Sequence, residues 1–493
     1  MHCPSPLHPG RRRAAPRAVL GAGLCAALAL AGCVSSAGIA PQSQPISPAG
    51  IGVRADAPPA PVSDRWWAAF QEPGLDALVD AALAANPSLK LARDRIERAT
   101  AAVDAAQAGR GPRVDGALDL TRQRYTENGL VPPPIAGSVG NTGLFQLTGS
   151  WEIDFFGKNA AALAAALGNQ RAAEADAQAA RVLLAANVAR AYFQLGRLVE
   201  LRIVTERALA QRKEILALIG QRVEAGLDTN VELRQGEAAV PETAQQIESI
   251  DEQIALARHA LAALTAQPPD ALDALDPRLR TVRAVPLPAA IPADLLGRRA
   301  DIEAARQRVE AATQEVAYSK TLLYPNVNLI AFAGLSSLGV NRLINTGSEQ
   351  YGAGVAIRLP IFDAGRLRAN VRGKTAELDA AVDSYNAALI DAVRDAADQI
   401  ASVQSLARQR TLQAEALARS EQAYDLAVQR FRAGLGTYLT VLSAEVNVLI
   451  QRRLGADLKA RELDSQVALA RALGGGYDAA AQAQLSNRAV AAR

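Results

Sequence analysis

The stretch QRVEAGL at residues 221–227 returns as QRFRAGL at residues 429–435, 208 positions further along the chain. Gly157 and Gly365 are separated by the same 208 positions. The interval from each of these glycines to the following Ala-Gly-Leu is therefore identical in the two halves. Self-similarity at one fixed offset is typical of an internal duplication. We therefore read the chain as one structural unit that occurs twice.

Apolar residues recur at seven-residue steps in both copies of the segment between these landmarks. The first copy carries Val188, Leu195, Leu209, Leu216 and Val223, and the second carries Ala396, Val403, Leu417, Tyr424 and Phe431. The one missing step is an arginine in each copy, Arg202 and Arg410. Sustained heptad spacing favours long helices packed as coiled coils. At a rise of 1.5 Å per residue, such a helix reaches on the order of 100 Å.

Four shorter segments change to strict alternation, which predicts strands with one apolar and one polar face. They are residues 113–122, 144–154, 326–333 and 351–359. Each has about the 9–11 residues of a transmembrane β-strand. Four strands cannot close a barrel alone and open edges are forbidden in hydrocarbon, whereas three chains supply twelve strands. The pattern favours a trimer, and a small soluble sheet packed on helices is the alternative.

The N-terminus resembles a secretory signal peptide, in which basic residues precede an apolar run. Arg11, Arg12, Arg13 and Arg17 precede an apolar run that is too short for a stable membrane span. The run ends in Leu30-Ala31-Gly32-Cys33, which resembles the lipobox of bacterial lipoproteins, with Val34 where an inner-membrane retention signal has Asp. The resemblance implies lipid attachment at Cys33 and outer-membrane delivery. An ordinary signal peptide is the alternative.

The composition leaves little material for an enzyme. Cys3 and Cys25 would leave with the signal peptide, and His259 is the histidine that remains after it. A Cys/His metal site or a Ser-His-Asp triad is hard to build from this set. The net charge is only +3, and no basic block with interleaved aromatics marks a nucleic-acid binder. With no P-loop motif either, we expect no catalysis, no cofactor, no metal and no nucleic-acid partner.

Three segments carry a family resemblance. Residues 292–302, PADLLGRRADI, resemble the P-x-D-L-L-x-R-R-P-D-I signature of TolC-like outer-membrane lipoproteins that serve resistance-nodulation-division pumps. Residues 322–327 and 359–366 resemble the entry to the third strand and the strand-to-helix junction of the same family. The resemblance covers nearly the whole mature chain. Ala300 is a departure, since the family usually has proline there.

The resemblance implies an α+β membrane protein. Its duplicated unit would contribute four strands per chain to a trimeric twelve-stranded β-barrel, continued by a long periplasmic α-helical barrel of coiled-coil type. The implied partners are two further copies, a periplasmic adaptor protein, an inner-membrane resistance-nodulation-division pump and outer-membrane lipid. The predicted segments are a signal peptide at 1–32, a lipidated tether at 33–74, the repeats at 75–290 and 291–476, and a tail at 477–493.

Working residues are expected at three places. Cys33 is the predicted anchor, and the two Ala-Gly-Leu turns are predicted to be periplasmic tips where the adaptor docks and the duct closes. The docking residues are Gly226, Leu227, Gly434 and Leu435, and the gate residues are Asp228, Glu232, Phe431, Thr440 and Ser443. Similar channels are acidic at the positions of Glu232 and Ser443, so serine at 443 predicts a less electrostatic gate. The alternatives are heptad core filling for Phe431 and plain turn geometry for the glycines.

The function predicted from these features is a passive outer-membrane exit channel. It would export drugs or other small toxic compounds that a pump and an adaptor deliver. Two other interpretations stay open at this point: a channel for ATP-driven protein secretion, and a periplasmic coiled-coil spacer lipoprotein without a pore.

Overall fold

A computed structural model describes residues 35–47, 63–282 and 299–477. The signal peptide, Cys33 and most of the 292–302 signature lie outside these residues, as does the tail beyond residue 477. Two compact units emerge within the described chain. The first comprises residues 101–168 and 310–381 with the described part of 1–43, and the second comprises the rest.

The elements follow each other in the predicted order. They are α1 (Pro73–Ala85), α2 (Pro87–Ala108), β1 (Arg113–Arg124), β2 (Val139–Ile153), α3 (Lys158–Glu224), α4 (Asn230–Leu264), α5 (Ala300–Thr321), β3 (Asn326–Leu338), β4 (Glu349–Arg358), α6 (Arg366–Arg432) and α7 (Tyr438–Ala472). Short 3-10 turns occur at Trp66–Phe70, Pro269–Leu272 and Val340–Arg342. None of the helices in the described part has an apolar run long enough to cross a bilayer.

The duplication is exact in the helices. Helices α3 and α6 both have 67 residues, and α4 and α7 both have 35. Four of the ten predicted heptad residues, Val188, Leu195, Ala396 and Phe431, are fully buried, and the other six are half-buried. The arginine at the missing heptad step forms an ion pair with the following helix in each repeat. Arg202 binds Asp251 of α4 at 2.7 Å, and Arg410 binds Glu462 of α7 at 2.7 Å.

The four strands form one antiparallel sheet in the order β1-β2-β3-β4, in the first unit. β2 begins at Val139, five residues before the predicted start, because β1 continues to Arg124 and pairs with it. Residues 139–143 contain two glycines and show no clear alternation, so the sequence did not reveal this extension. The pairing aligns Gly116, Leu147, Ala333 and Tyr351 across the sheet, so that alternate positions share one face.

The largest buried cluster of the second unit includes a group of aromatic side chains, where the turn Trp66–Phe70 packs against α3. Phe70 packs edge-on against Phe193 with ring centroids 5.0 Å apart, and Trp66 and Trp67 meet at 5.7 Å. All four side chains are buried. Buried edge-to-face pairs of this kind contribute about 0.5–1.5 kcal/mol beyond their area burial. The cluster holds the segment before α1 against the long helix.

Residues 35–47, which we name the N-terminal strap, are held by polar side chains of α6. Arg368 donates to the carbonyls of Ser35 and Ala37 at 2.8 Å each. The N–H groups of Gln42 and Ser43 donate to Asp379 Oδ1 at 2.8 and 3.0 Å. Further on, Asn386 exchanges two bonds with the strap backbone, at Gln44 and Ile46. All these hydrogen bonds go to main-chain atoms of the strap, and the side chain of Ile39 packs against an apolar cluster that includes Leu367 and Val371 of α6.

We predict that Asp379→Ala will release the strap, because one carboxylate oxygen satisfies two of its N–H groups. Loss of these bonds should raise the rate of subtilisin cleavage within residues 37–46 about tenfold. The cleavage sites would be read by mass spectrometry. Asp383→Ala, one turn further along α6, is the matched control and should cleave at the parental rate. Equal rates for both variants would show that the bonds to Asp379 do not hold the strap.

Candidate functional site: the two hairpin tips

Both predicted tips are tight helix ends built around a glycine. Gly226 has φ +70° and Gly434 has φ +74°, in the left-handed region that favours glycine. The N–H of Leu227 donates to Arg222 O and that of Leu435 to Arg430 O, both at 2.8 Å. This is the bond pattern of the Schellman motif, which satisfies the last carbonyls of a helix. The two leucines are left 66% and 71% exposed.

One arginine ties the first tip to the second. Arg222 donates from Nε and Nη2 to the two carboxylate oxygens of Asp228, at 2.7 and 3.0 Å, and both side chains are largely buried. The same guanidinium donates to the carbonyl of Phe431 at 3.3 Å and lies 4.7 Å from the centre of its ring. We name these contacts the Arg222 clasp. The carboxylate of Asp228 is therefore neutralised within its own chain.

Glu232 acts as part of a helix cap. Its carboxylate accepts from the N–H of Thr229 at 3.0 Å and from the Thr229 hydroxyl, while the N–H of Val231 donates to Thr229 Oγ1 at 3.1 Å. This reciprocal arrangement is a capping box at the start of α4. The hydrogen bond from the Thr229 hydroxyl lowers the pKa of Glu232.

The second tip lacks this cap. Thr437 occupies the equivalent N-cap position but makes no side-chain bond to the helix backbone. Thr440 stands where the first tip has Glu232, and the two hydroxyls meet each other at 3.1 Å. The hydroxyl of Ser443 donates back to Leu439 O at 2.9 Å, and both Thr440 and Ser443 are exposed. The start of α7 is therefore less well secured than the start of α4.

Phe431 is a core residue of its own chain. It is fully buried and packs with Ile219, Tyr438 and Val441. The heptad interpretation of this side chain matches its surroundings. The exposed side chains of the second tip are instead Leu435, Leu439, Thr440 and Ser443.

The sequence did not predict a buried ion pair that joins α3 to α7. Arg212 of α3 lies 3.3 Å from Glu445 of α7, and also donates to Thr243 of α4 at 2.8 Å. The side chains of the pair are 14% and 7% exposed, and burial raises the pKa of Glu445 although Arg212 opposes the shift. The duplication offered a signal, because Arg212 aligns with Ser420 in the second half. A charge present in one repeat alone marks a contact that the repeats do not share.

The described residues contain no group of His, Cys, Asp and Glu arranged to hold a metal ion. Arg222, Asp228 and Glu232 at the tips instead bond to backbone, to a hydroxyl or to one another. Their arrangement suits mechanical coupling of helix ends.

Comparison with known proteins gives concordant matches. A family described as outer membrane efflux protein matches residues 78–267 and 291–475. The multidrug resistance outer membrane protein MdtQ of Escherichia coli is 33% identical over 84% of this chain and 88% of its own length. The fusaric acid resistance protein FusA of Burkholderia cepacia is 37% identical over 71% of this chain and 67% of its own. The outer membrane protein VceC of Vibrio cholerae superposes with a TM-score of 0.79 at 34% identity, covering 85% of this chain and all of VceC.

These matches confirm the predicted resemblance and the predicted fold class. They also confirm an efflux channel located in the outer membrane and extending into the periplasm. The roles of individual tip residues, the lipid attachment at Cys33 and the repeat boundaries stay predictions.

We predict that Thr440→Glu will complete a capping box with Thr437. By analogy with Thr229 and Glu232, it should stabilise the first turn of α7 by about 0.5–1 kcal/mol. Slower amide hydrogen exchange at residues 438–441 would report the gain. Because the fold lowers the pKa of Glu232, the stability from the existing cap is fully present above the ordinary Glu pKa of about 4.3 and is lost as the pH falls from there through the lowered pKa.

The reciprocal variant Glu232→Thr is the control. It should speed exchange in the first turn of α4 and leave α7 unchanged. Unaltered exchange in both variants would contradict the assigned difference between the two caps.

Proposed function

Since the chain belongs to the outer membrane efflux protein family, we propose that three copies form one passive duct that exports small toxic compounds. The carrying observation is the four-stranded sheet, whose outer strands β1 and β4 each keep one edge without a partner in the described chain. Unpaired strand edges are not tolerated in hydrocarbon. Pairing β1 of one copy with β4 of the next removes every edge once the ring closes.

The two faces of the sheet support this arrangement. One face carries exposed apolar side chains, among them Val114, Leu147, Val355 and Ile357, and suits contact with lipid. The opposite face carries Gln146, Thr148, Glu152, Asn328 and Arg358, and suits a water-filled lumen. Such a division is typical of transmembrane barrels and has no use in a pore-free spacer.

The cargo is inferred from relatives. MdtQ is named for multidrug resistance and FusA for resistance to fusaric acid. Both names favour small toxic compounds over secreted proteins. Transport energy would come from an inner-membrane pump, and no catalytic step is proposed for this chain.

A periplasmic adaptor would dock at the tips. Leu227 and Leu435 are exposed at equivalent places in the two turns, next to Gly226 and Gly434. Three copies would present six such leucines in a ring. An adaptor with a complementary apolar surface could cover them, and outer-membrane lipid would cover the strands.

The Arg222 clasp is proposed to hold the gate closed. It joins the first tip to Phe431, whereas the second tip has no N-terminal cap of its own. Asp228 acts through Arg222 and Glu232 through its capping box. Thr440 and Ser443 are the exposed polar groups left to line the aperture. Closure would then depend on helix coupling more than on a ring of carboxylates.

Cys33 is proposed as the lipid attachment site. The strap begins two residues later, where Arg368 in the first turn of α6 holds Ser35 and Ala37. Helix α6 follows closely after β4, a proposed membrane strand. An acyl chain near this point would enter the same membrane as the barrel.

We predict opposite outcomes for lysine on the two faces of β4. Val355→Lys places a charge on the lipid-facing side, at a cost of about 2–4 kcal/mol near the midplane, and should reduce outer-membrane assembly. Ala356→Lys, the next residue, faces the lumen and should assemble but conduct differently.

Light scattering of the purified protein would give the mass of three chains, and recordings in planar bilayers would give the conductance. Mass spectrometry would report acylation of Cys33.

The proposal fails if the parental protein stays monomeric and never conducts. Equal assembly of both lysine variants would show that the faces are assigned wrongly. Unchanged drug susceptibility of cells lacking the protein would remove the efflux role.

We further predict that Arg222→Ala will raise the conductance of purified trimers several-fold in the absence of adaptor. The substitution removes the bidentate pair, the bond to Phe431 O and the cation–π contact together. Arg430→Ala is the matched control, because Arg430 occupies the equivalent position but is exposed and makes one long bond of 3.5 Å. The same conductance in both variants would exclude the clasp as a latch.

A further inference from the structure

An open groove of about 470 Å³ lies in the first unit, where the sheet passes into the long helices. Charged and aromatic side chains share its wall. They include Glu152, Phe156, Lys158, Tyr324, Arg358 and Arg366. We name it the junction groove.

The duplication relates two of these cations. Lys158 is the first residue of α3 and Arg366 the first of α6, 208 positions apart. Each follows a glycine with positive φ, Gly157 at +76° and Gly365 at +85°. The two repeats therefore place one cation each at the same point of the same local structure.

The repeats differ in whether a carboxylate pairs with that cation. Lys158 binds both carboxylate oxygens of Glu152, at 2.9 and 2.8 Å. The position equivalent to Glu152 in the second repeat is Pro360. Within the described residues, Arg366 has no carboxylate at ion-pair distance. The second repeat has kept the cation and lacks its internal anion.

A second guanidinium in the groove also lacks a carboxylate partner in the described chain. Arg358 ends β4 opposite Asn326, a neutral residue, and forms no ion pair in the described chain. Both arginines are exposed. The other acid of the wall, Asp154, is engaged by the N–H of Ala160 at 2.9 Å. The groove thus offers two guanidinium groups that form no ion pair with the residues the structure describes, and the cations of its wall exceed the carboxylates by one.

An aromatic platform adjoins these charges. Phe156 and Tyr324 stack with ring centroids 5.1 Å apart and planes 12° from parallel. Their side chains remain 46% and 52% exposed, so part of the surface of the stacked pair is open to a ligand. Guanidinium groups bind carboxylates in bidentate geometry, and exposed rings bind apolar bodies.

We propose that the junction groove binds an organic carboxylate with an apolar body. The carboxylate pairs with Arg358 and Arg366 and so replaces the glutamate that the second repeat lacks. The apolar body lies against Phe156 and Tyr324. Because Arg358 and Glu152 lie on the polar face of the sheet, the site would belong to the wall of the lumen, a location that rests on the proposed function.

The test is a binding titration of 4-fluorobenzoate by fluorine NMR, with purified full-length protein in detergent. Two substitutions should each weaken binding about tenfold. Arg366→Gln removes the cation, and Pro360→Glu supplies the missing internal anion while leaving the arginine in place. Arg372→Gln removes one exposed charge from the same helix outside the groove and should bind as the parental protein does. Neutral 4-fluorobenzamide should bind at least tenfold more weakly than the benzoate.

Two results would overturn the proposal. One is parental affinity in both Arg366→Gln and Pro360→Glu, with the oligomeric mass unchanged. The other is stronger displacement of the benzoate by dihexanoylphosphatidylglycerol than by unlabelled benzoate, which would assign the groove to a lipid headgroup. Since the titration requires no conduction, its failure is distinguishable from failure of the channel function.

Discussion

Backbone hydrogen bonding at the edges of the sheet is the constraint on which the rest of this molecule depends. Each chain supplies four paired strands and leaves two edges open, although the apolar face of the same strands calls for a lipid environment. Neither edge can be satisfied by a single chain. Closure therefore requires further copies, and each copy continues from its strands into two long helices of equal length, 67 residues each.

Because the chain contains an internal duplication, each residue of one repeat can be compared with its counterpart in the other. The repeats agree at Gly226 and Gly434, where the left-handed turn favours glycine. Where they differ, one copy carries a specific contact that the other lacks. Asp228 has Gly436 as its counterpart, Glu232 has Thr440, and Glu152 has Pro360. The Arg222 clasp, the capping box and the junction groove all emerge from such differences.

Periodicity predicted the helices well because the heptad and the strand alternation are local signals. The ends of α3 and α6 and the presence of the four strands follow from residue spacing and turn glycines. The extent of β3 did not, since it runs to Leu338, five residues beyond the predicted end. The early start of β2 escaped prediction, since Gly140 and Gly143 pair through their backbone and carry no alternating side chain. Arg212 and Glu445 escaped too, because a polar residue in a helix does not reveal which neighbour will bury it.

The sequence by itself determined the duplicated unit, its helix lengths, its amphipathic strands and the location of its turns, because periodicity and turn residues are local signals that need no knowledge of the pairing partner. The partners of the charged side chains were decided only by the tertiary structure. Asp228 and Glu232 appeared equivalent as acidic gate residues, yet one closes a clasp with Arg222 and the other caps a helix. That distinction depends on which helix ends come together. Only the tertiary structure brings Arg222 against the ring of Phe431 and buries its ion pair with Asp228.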